Sequence, residues 1–244
     1  MTAQLKAELL KIRSTRTTIG LVLGMIALTL LFSLLAGLLT RAPDLVSAED
    51  QRGLLSVGSL GGSFAALAGI MLITSEYRYG TIRPTFLFTP KRSRVLAGKL
   101  AAGLLAGLVF GILAEGLGFA IGYASLSGRG IHLVLSGNQI ALLLLGTVVG
   151  TALWGAIGVG LGAILRNQVG AIIALLAWGF VAENLLFAFV PSVGRFAPVH
   201  AQDALTGLTT QHLLGPTAGG LMLTAWAAVL ALAGMALVAR RDVN

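Results

Sequence analysis

The sequence predicts an all-α integral membrane protein, with six transmembrane helices behind an N-terminal interfacial helix and both termini cytoplasmic. Three observations carry this. Of the 244 residues 56% are hydrophobic and 11% charged, and the mean hydropathy is +0.91. Soluble domains carry roughly 25% charged residues, so this chain has too little polar surface to cover a globule in water. Six apolar runs are each long enough to cross a bilayer, and Lys and Arg gather on one set of their connections.

A helix rises about 1.5 Å per residue, so roughly 20 apolar residues cross the hydrocarbon core. The runs that qualify are Ile19–Leu39, Leu54–Thr74, Leu100–Leu126, Ile140–Leu165, Val169–Val190 and Thr217–Val238. The third and fourth are long enough to tilt or to project past the bilayer. Residues 1–18, "MTAQLKAELLKIRSTRTT", stand apart. Leu5, Leu9 and Ile12 recur at helical spacing among Lys6, Glu8, Lys11 and Arg13, which reads as a short interfacial helix, apolar side down, or simply as a charged topology signal. Ser14 and Thr15 are candidate caps of the first span. The first apolar run is about 21 residues long, beyond a usual signal-peptide core, so no cleavable signal peptide is expected. Residues 19–244 read as one transmembrane domain.

An even number of crossings puts both termini on one side. That side collects Lys6, Lys11, Arg13, Arg16, Arg78, Arg83, Lys91, Arg92, Arg94, Lys99, Arg166, Arg240 and Arg241, leaving Arg41, Arg52, Arg129 and Arg195 for the other. By the positive-inside rule the rich side is cytoplasmic, which predicts a multi-pass protein of the plasma membrane. The net charge of +8 is thereby assigned to topology, and nucleic acid is not an expected partner. On the outer side, 40–53 and 127–139 read as ordinary loops. Residues 191–216, with "FAPVHAQDALTGL", read as a loop or as short helices resting on or dipping into the membrane face.

Several chemistries find no residues. Zero cysteines exclude disulfides, thiolate catalysis and thiolate metal sites. No GxxxxGK[ST] occurs, since Leu100 stands where Ser or Thr would follow Lys99, and there is neither HExxH nor GxSxG. His132, His200 and His212 fall in outer connections without ligand spacing and read as solvated loop histidines; no metal site is expected.

The 33 glycines lie mostly inside the spans. Small residues let helix backbones approach closely in lipid, so Gly107, Gly111, Gly118 and Gly122 on the third span, with Gly158 and Gly162 on the fourth, are expected to pack helices within the bundle or along a dimer seam. Glu115 and Glu183 fall at membrane depth, where a carboxylate costs on the order of 2.5–3.5 kcal/mol and should face protein or water. Each is a candidate for lining a substrate path, for taking up a proton, or for a structural carboxylate bonded across helices.

Six of the seventeen basic residues crowd into "SEYRYGTIRPTFLFTPKRSRVLAGK", residues 75–99. Topology explains the charge, and Lys91, Arg92 and Arg94 can meet anionic headgroups. It does not explain Glu76, Tyr77 and Tyr79, which suggest a compact helix and turn, with Gly80 free to take a positive φ and Pro84 and Pro90 as punctuation. This stretch resembles the cytoplasmic loop between the second and third helices of ABC-2 type transporter permeases. The shared run is Glu76-Tyr77-Arg78-Tyr79-Gly80-Thr81-Ile82, then Thr89-Pro90-Lys91-Arg92 and Lys99 entering the next helix. The start "LKAELLKIRSTRTT" is similar to the family's N-terminal segment, and the span count fits along the whole chain, although the local motif covers about a tenth of it.

The resemblance implies a transport subunit of an ATP-driven exporter, not an enzyme by itself. It implies pairing with a second permease copy, identical or related, and docking of separate ABC ATPase subunits that hold the ATP and Mg²⁺; this chain would carry no cofactor. The loop would supply the coupling helix, with Glu76, Tyr77, Arg78, Gly80, Thr81 and Arg92 at the ATPase contact. Residues 1–18 would be the elbow helix and 191–216 the outer re-entrant segment. The mostly apolar bundle, in contact with membrane lipid, suits an amphiphile such as a drug, peptide antibiotic or lipid-like molecule. The alternative is a proton-coupled carrier using Glu115 and Glu183, although residues 1–120 and 121–244 show no internal repeat of the kind such carriers often have. A membrane-embedded enzyme lacks a catalytic constellation, and a non-transporting sensor subunit remains a further class.

Overall fold

The computed structural model describes residues 2–89, 91–209 and 212–240; Pro90 and Arg241, named above, lie outside them. Helices α1 (Thr2–Ser14) and α2 (Arg16–Leu39) lead through a 3₁₀ turn at Ala42–Leu45 to α3 (Ala48–Leu55). A second 3₁₀ turn at Val57–Leu60 enters α4 (Gly61–Arg78), followed by α5 (Ile82–Phe88), α6 (Arg92–Gly128) and α7 (Gly137–Leu165). The fifth span consists of α8 (Gln168–Ala177), a π-helical segment at Trp178–Ala182 and α9 (Glu183–Phe189). Two short helices, α10 (Pro191–Gly194) and α11 (Pro198–Leu205), precede α12 (Pro216–Arg240). No described residue is in a strand, and six helical segments are long and apolar enough to cross a membrane. The chain is an all-α, multi-pass membrane protein.

Burial separates centre from rim. The apolar window of α7 is 56% buried, against 17% for α2 and 11% for Gln168–Phe189. Helix α7 therefore sits in the middle, flanked by α4, α6 and α12. Glycine makes this possible, because lipid offers no hydrophobic drive to bring helices together and close van der Waals packing must do so. A β-carbon at Gly107 would stand 2.8 Å from the Ala152 Cα, and one at Gly111 would stand 2.9 Å from the Val148 Cα. On the other face of α7, Gly158 lies against the Ala66 backbone and Gly162 against Ile73. Gly118 and Gly122 face the bend at 54–58. All six glycines thus pack within this chain.

Several boundaries differ from the sequence reading, each for a local reason. The second span starts later than Leu54, because Ser47 caps a separate short helix by accepting from Asp50 N (3.1 Å). The apolar run 54–60 then bends at Ser56, which has non-helical φ and ψ. The 40–53 connection is accordingly helical, not an ordinary loop. Thr15 is the N-cap residue of α2, but its hydroxyl turns back to the Lys11 carbonyl (2.5 Å) and caps nothing. Helix α6 runs 37 residues, about 55 Å, and projects past a 30 Å hydrocarbon core. At the end away from the termini, fully buried Gln51 stitches two connections together, donating to the Leu45 and His132 carbonyls (3.1 and 2.9 Å) and accepting from Val134 N (2.8 Å). The 191–216 connection contains short helices, as one of its two readings had it.

Candidate functional site

At the end of the bundle that holds the termini, α4 continues one turn beyond Thr74. That extra turn carries Glu76 and Tyr77, so both belong to the span and not to a free loop. The chain then reverses at Gly80, whose φ of +70° is unfavourable for any residue with a β-carbon. Ile82, 3% exposed, pins α5 to the bundle, while Leu87 and Phe88 at its far end are 81% and 88% exposed. Around this apolar tip Arg78, Tyr79, Thr81, Arg83, Lys91 and Arg94 are also exposed.

Behind the turn lies a buried ion cluster. Lys99, fully buried on α6, donates to both carboxylate oxygens of Glu8 (3.1 Å each), to Glu76 Oε1 (2.7 Å) and to the Leu72 carbonyl (2.8 Å). Lys11 bridges the same carboxylates from the rim, at 2.6 Å to Glu76 and 3.2 Å to Glu8. Two cations and two anions cancel, which is how four ionised groups tolerate this depth. Burial pulls the Lys11 ammonium down, but the hydrogen bond and charge of Glu76, with Glu8, raise it above its ordinary value. Leu5, Leu9 and Ile12 of α1 pack against a cluster that includes Leu72, Leu96 and Val159. The apolar side of α1 therefore meets the protein's own helices and does not face outward.

The structure divides the six residues expected at a partner contact. Arg78, Gly80 and Thr81 are exposed. Glu76, 5% exposed, is spent on Lys99 and Lys11. Tyr77 is half-buried beneath Arg166, whose guanidinium sits 5.2 Å from its ring and whose Nη2 donates to the Leu237 carbonyl (3.2 Å). Arg92 stacks on Phe86 at 5.2 Å and donates to the Val238 carbonyl (3.2 Å), tying α6 to the end of α12. These three are internal fasteners. The sequence reading missed Glu8 and Lys99 as partners, yet a signal was there: Glu8 falls inside the Leu5, Leu9, Ile12 stripe, where a solvated acid would not sit.

The two acids in the spans have different surroundings. Glu115 is 1% exposed, and neither of its carboxylate oxygens finds a hydrogen-bond partner among the described residues; its backbone lies against Gly58. Glu183, fully buried, accepts from Val199 N through Oε2 (2.8 Å), while Oε1 has no described partner. It directly follows the π-helical segment, whose Gly179 and Phe180 carbonyls accept from Asn184 Nδ2 (3.2 and 3.1 Å). His200 is not a solvated loop residue. It is 8% exposed on α11, stacked on Phe187 at 4.2 Å with Nδ1 3.7 Å from Asp203 Oδ2. His132 and His212 are exposed.

Comparison of the chain with protein-family models and with curated proteins returns no match.

Proposed function

We propose that this chain is the membrane-spanning subunit of an ATP-driven exporter of amphiphilic molecules, with both termini and α5 in the cytoplasm. Separate ATPase subunits supply the nucleotide chemistry and hold ATP and Mg²⁺, and a second permease copy completes the path. The observation that carries this reading is the projection at 78–88. A short helix rests on the bundle through Ile82 and presents an apolar tip, Leu87 and Phe88, ringed by arginines and lysines, which a mere tether would not need. An exposed aromatic anchor of this kind is worth about 2 kcal/mol or more when it fills a partner's pocket. The contact differs from the one the motif alone suggests. Arg78, Thr81, Arg83, Leu87 and Phe88 form the docking surface, while Glu76, Tyr77 and Arg92 hold the projection rigid from behind. Because α6 carries Lys99 and the base of α5 at one end and Glu115 at mid-membrane, a push on α5 moves a long lever and not a loop.

The test is purification of the tagged chain from native membranes in mild detergent, for wild type and for Phe88→Asp with Arg83→Glu. Both sites are exposed, so the bundle is expected to fold. A co-purifying ATPase that is lost in the variant supports the reading. A chain that arrives alone, and that moves substrate in ATP-free vesicles under a proton gradient, replaces it with the carrier reading.

A further inference from the structure

Far from the ion cluster, a cleft of about 230 Å³ opens between α4, α7, the π-helical segment and α11. Its apolar walls include Trp154, Leu175, Phe180 and Val199. Its polar wall is Ser59, Ser63, Asn184, Gln202 and Asp203, and no Lys or Arg lines it. Asp203 is the one charged side chain on the lining. Gln202, 4% exposed, belongs to this polar wall. Just behind the wall, Val199 connects the cleft to Glu183, whose second carboxylate oxygen has no described partner. The π-helical segment that supplies Gly179 and Phe180 is a helix irregularity of a kind frequent at functional sites.

One carboxylate on the lining, a second behind it, no lining Lys or Arg and two aromatic walls together favour one ligand chemistry. His200, with Nδ1 3.7 Å from Asp203 Oδ2, competes for the lining carboxylate. We propose that this cleft binds the head of an organic cation, an aryl- or alkylammonium, with its charge at Asp203 and its substituents against Trp154 and Phe180. A cation is drawn both to a partly buried carboxylate and to the negative face of an aromatic ring, and each attraction grows as water is excluded. Size sets the limit. At about 230 Å³ the cleft lies below the roughly 300–1,000 Å³ that whole drug-sized ligands occupy, so it holds a headgroup. The mouth shows where the rest goes: Leu176 and Phe180 are 37% and 59% exposed on the outward side of the fifth span, so an apolar tail leaves the cleft along the lipid. The site thus selects amphiphilic cations over amphiphilic anions. As a substrate class this rests on the transport reading; as a binding site it stands on this chain alone.

The experiment titrates benzyltrimethylammonium into the full chain in lipid nanodiscs without any ATPase. It is followed by calorimetry and by tryptophan fluorescence, with neopentylbenzene as the uncharged isostere. The expected result is saturable binding of the ammonium, no saturable binding of the isostere, and affinity at least about tenfold weaker in Asp203→Asn. Ser63→Phe, which fills the cleft, should abolish binding. If Asp203→Asn does not fold, the two probes on wild type and the Ser63→Phe comparison still decide. Equal binding of the isostere, unchanged affinity in a folded Asp203→Asn, or no ammonium binding by wild type overturns the proposal. Because no ATPase is present, a failure here leaves the docking reading intact, and loss of ATPase co-purification leaves this site intact.

Discussion

Replacing Lys99 with Met tests whether the buried cluster, and not apolar packing, holds α1 in place. The wild-type ammonium uses its donors on Glu8, Glu76 and the Leu72 carbonyl. Methionine is close in volume, so little packing is lost, but two carboxylates remain with Lys11 as their single close cation. Breaking a buried ion pair from one side typically costs about 3–5 kcal/mol, and the surviving Lys11 puts this case near 3 kcal/mol. The cost falls on α1. That helix is fastened by Glu8 and the small cluster of Leu5, Leu9 and Ile12, whereas α4 and α6 are held together along their length. At about 1.4 kcal/mol per factor of ten, the open population of α1 should rise roughly 100-fold. Amide exchange over residues 5–12 and tryptic cleavage after Lys6 and Arg13 would report it, with exposed Lys6→Met as the control for charge alone. A double-mutant cycle with Glu8→Gln should show strong coupling. Exchange within about threefold of wild type, with no measurable coupling, would refute the reasoning, because a charge with no net role costs little to remove.

Other consequences follow from the same geometry. Glu76→Lys, which the sequence alone reads as a probe of partner docking, brings a third cation to Lys99 and Lys11. It should lower expression and thermal stability even with no partner present, and normal stability with selective loss of a partner would contradict the internal role. Gly158→Val drives a side chain into the Ala66 backbone, whereas Gly116 has open space around it. Overpacking costs about 1–3 kcal/mol, more where backbone must move, so thermal melts should separate Gly158→Val from a near-neutral Gly116→Ala. His200 should titrate above its ordinary value, held up first by the Asp203 carboxylate 3.7 Å from its Nδ1, against the pull of burial. A raised folded value means that the stabilisation is fully present below the unfolded value of about 6.5 and is lost as pH rises through the folded one. An NMR titration should place His200 higher in wild type than in Asp203→Asn, and equal values would count against the pairing.

The sequence alone carried the architecture, because bilayer thickness and backbone hydrogen bonding leave an apolar run of some 20 residues one solution. That is why four of the six spans lie within a few residues of their hydropathic bounds. The third begins eight residues before Leu100; the second missed its start, where the apolar pattern runs on through the Ser56 bend, and ends one turn beyond Thr74. The glycines were legible as close-approach points, since a residue that weakens a helix is retained where a β-carbon would collide. Which helix each glycine meets was not: Gly107 and Gly111 face α7, while Gly118 and Gly122, on the same helix, face the bend at 54–58. A helix offers several faces, and only packing assigns them.

The charged stretch after the second span marks the other boundary of what sequence could decide. A run of Glu76, Tyr77, Arg78 and Arg92 reads as surface, because charge ordinarily stays in water. The fold brings Glu8, 91 residues away from Lys99 along the chain, to the same point, and with its partners present Glu76 turns inward. Long-range pairing of this kind leaves only the faint mark of an acid in an apolar stripe. The cleft at Asp203 left no mark at all, since its walls come from α4, α7, the fifth span and α11, and no spacing along a chain records where four helices leave a gap. The solvent dictated the spans, one residue at a time; contact between distant segments decided which charges face in, which face out, and where a ligand fits.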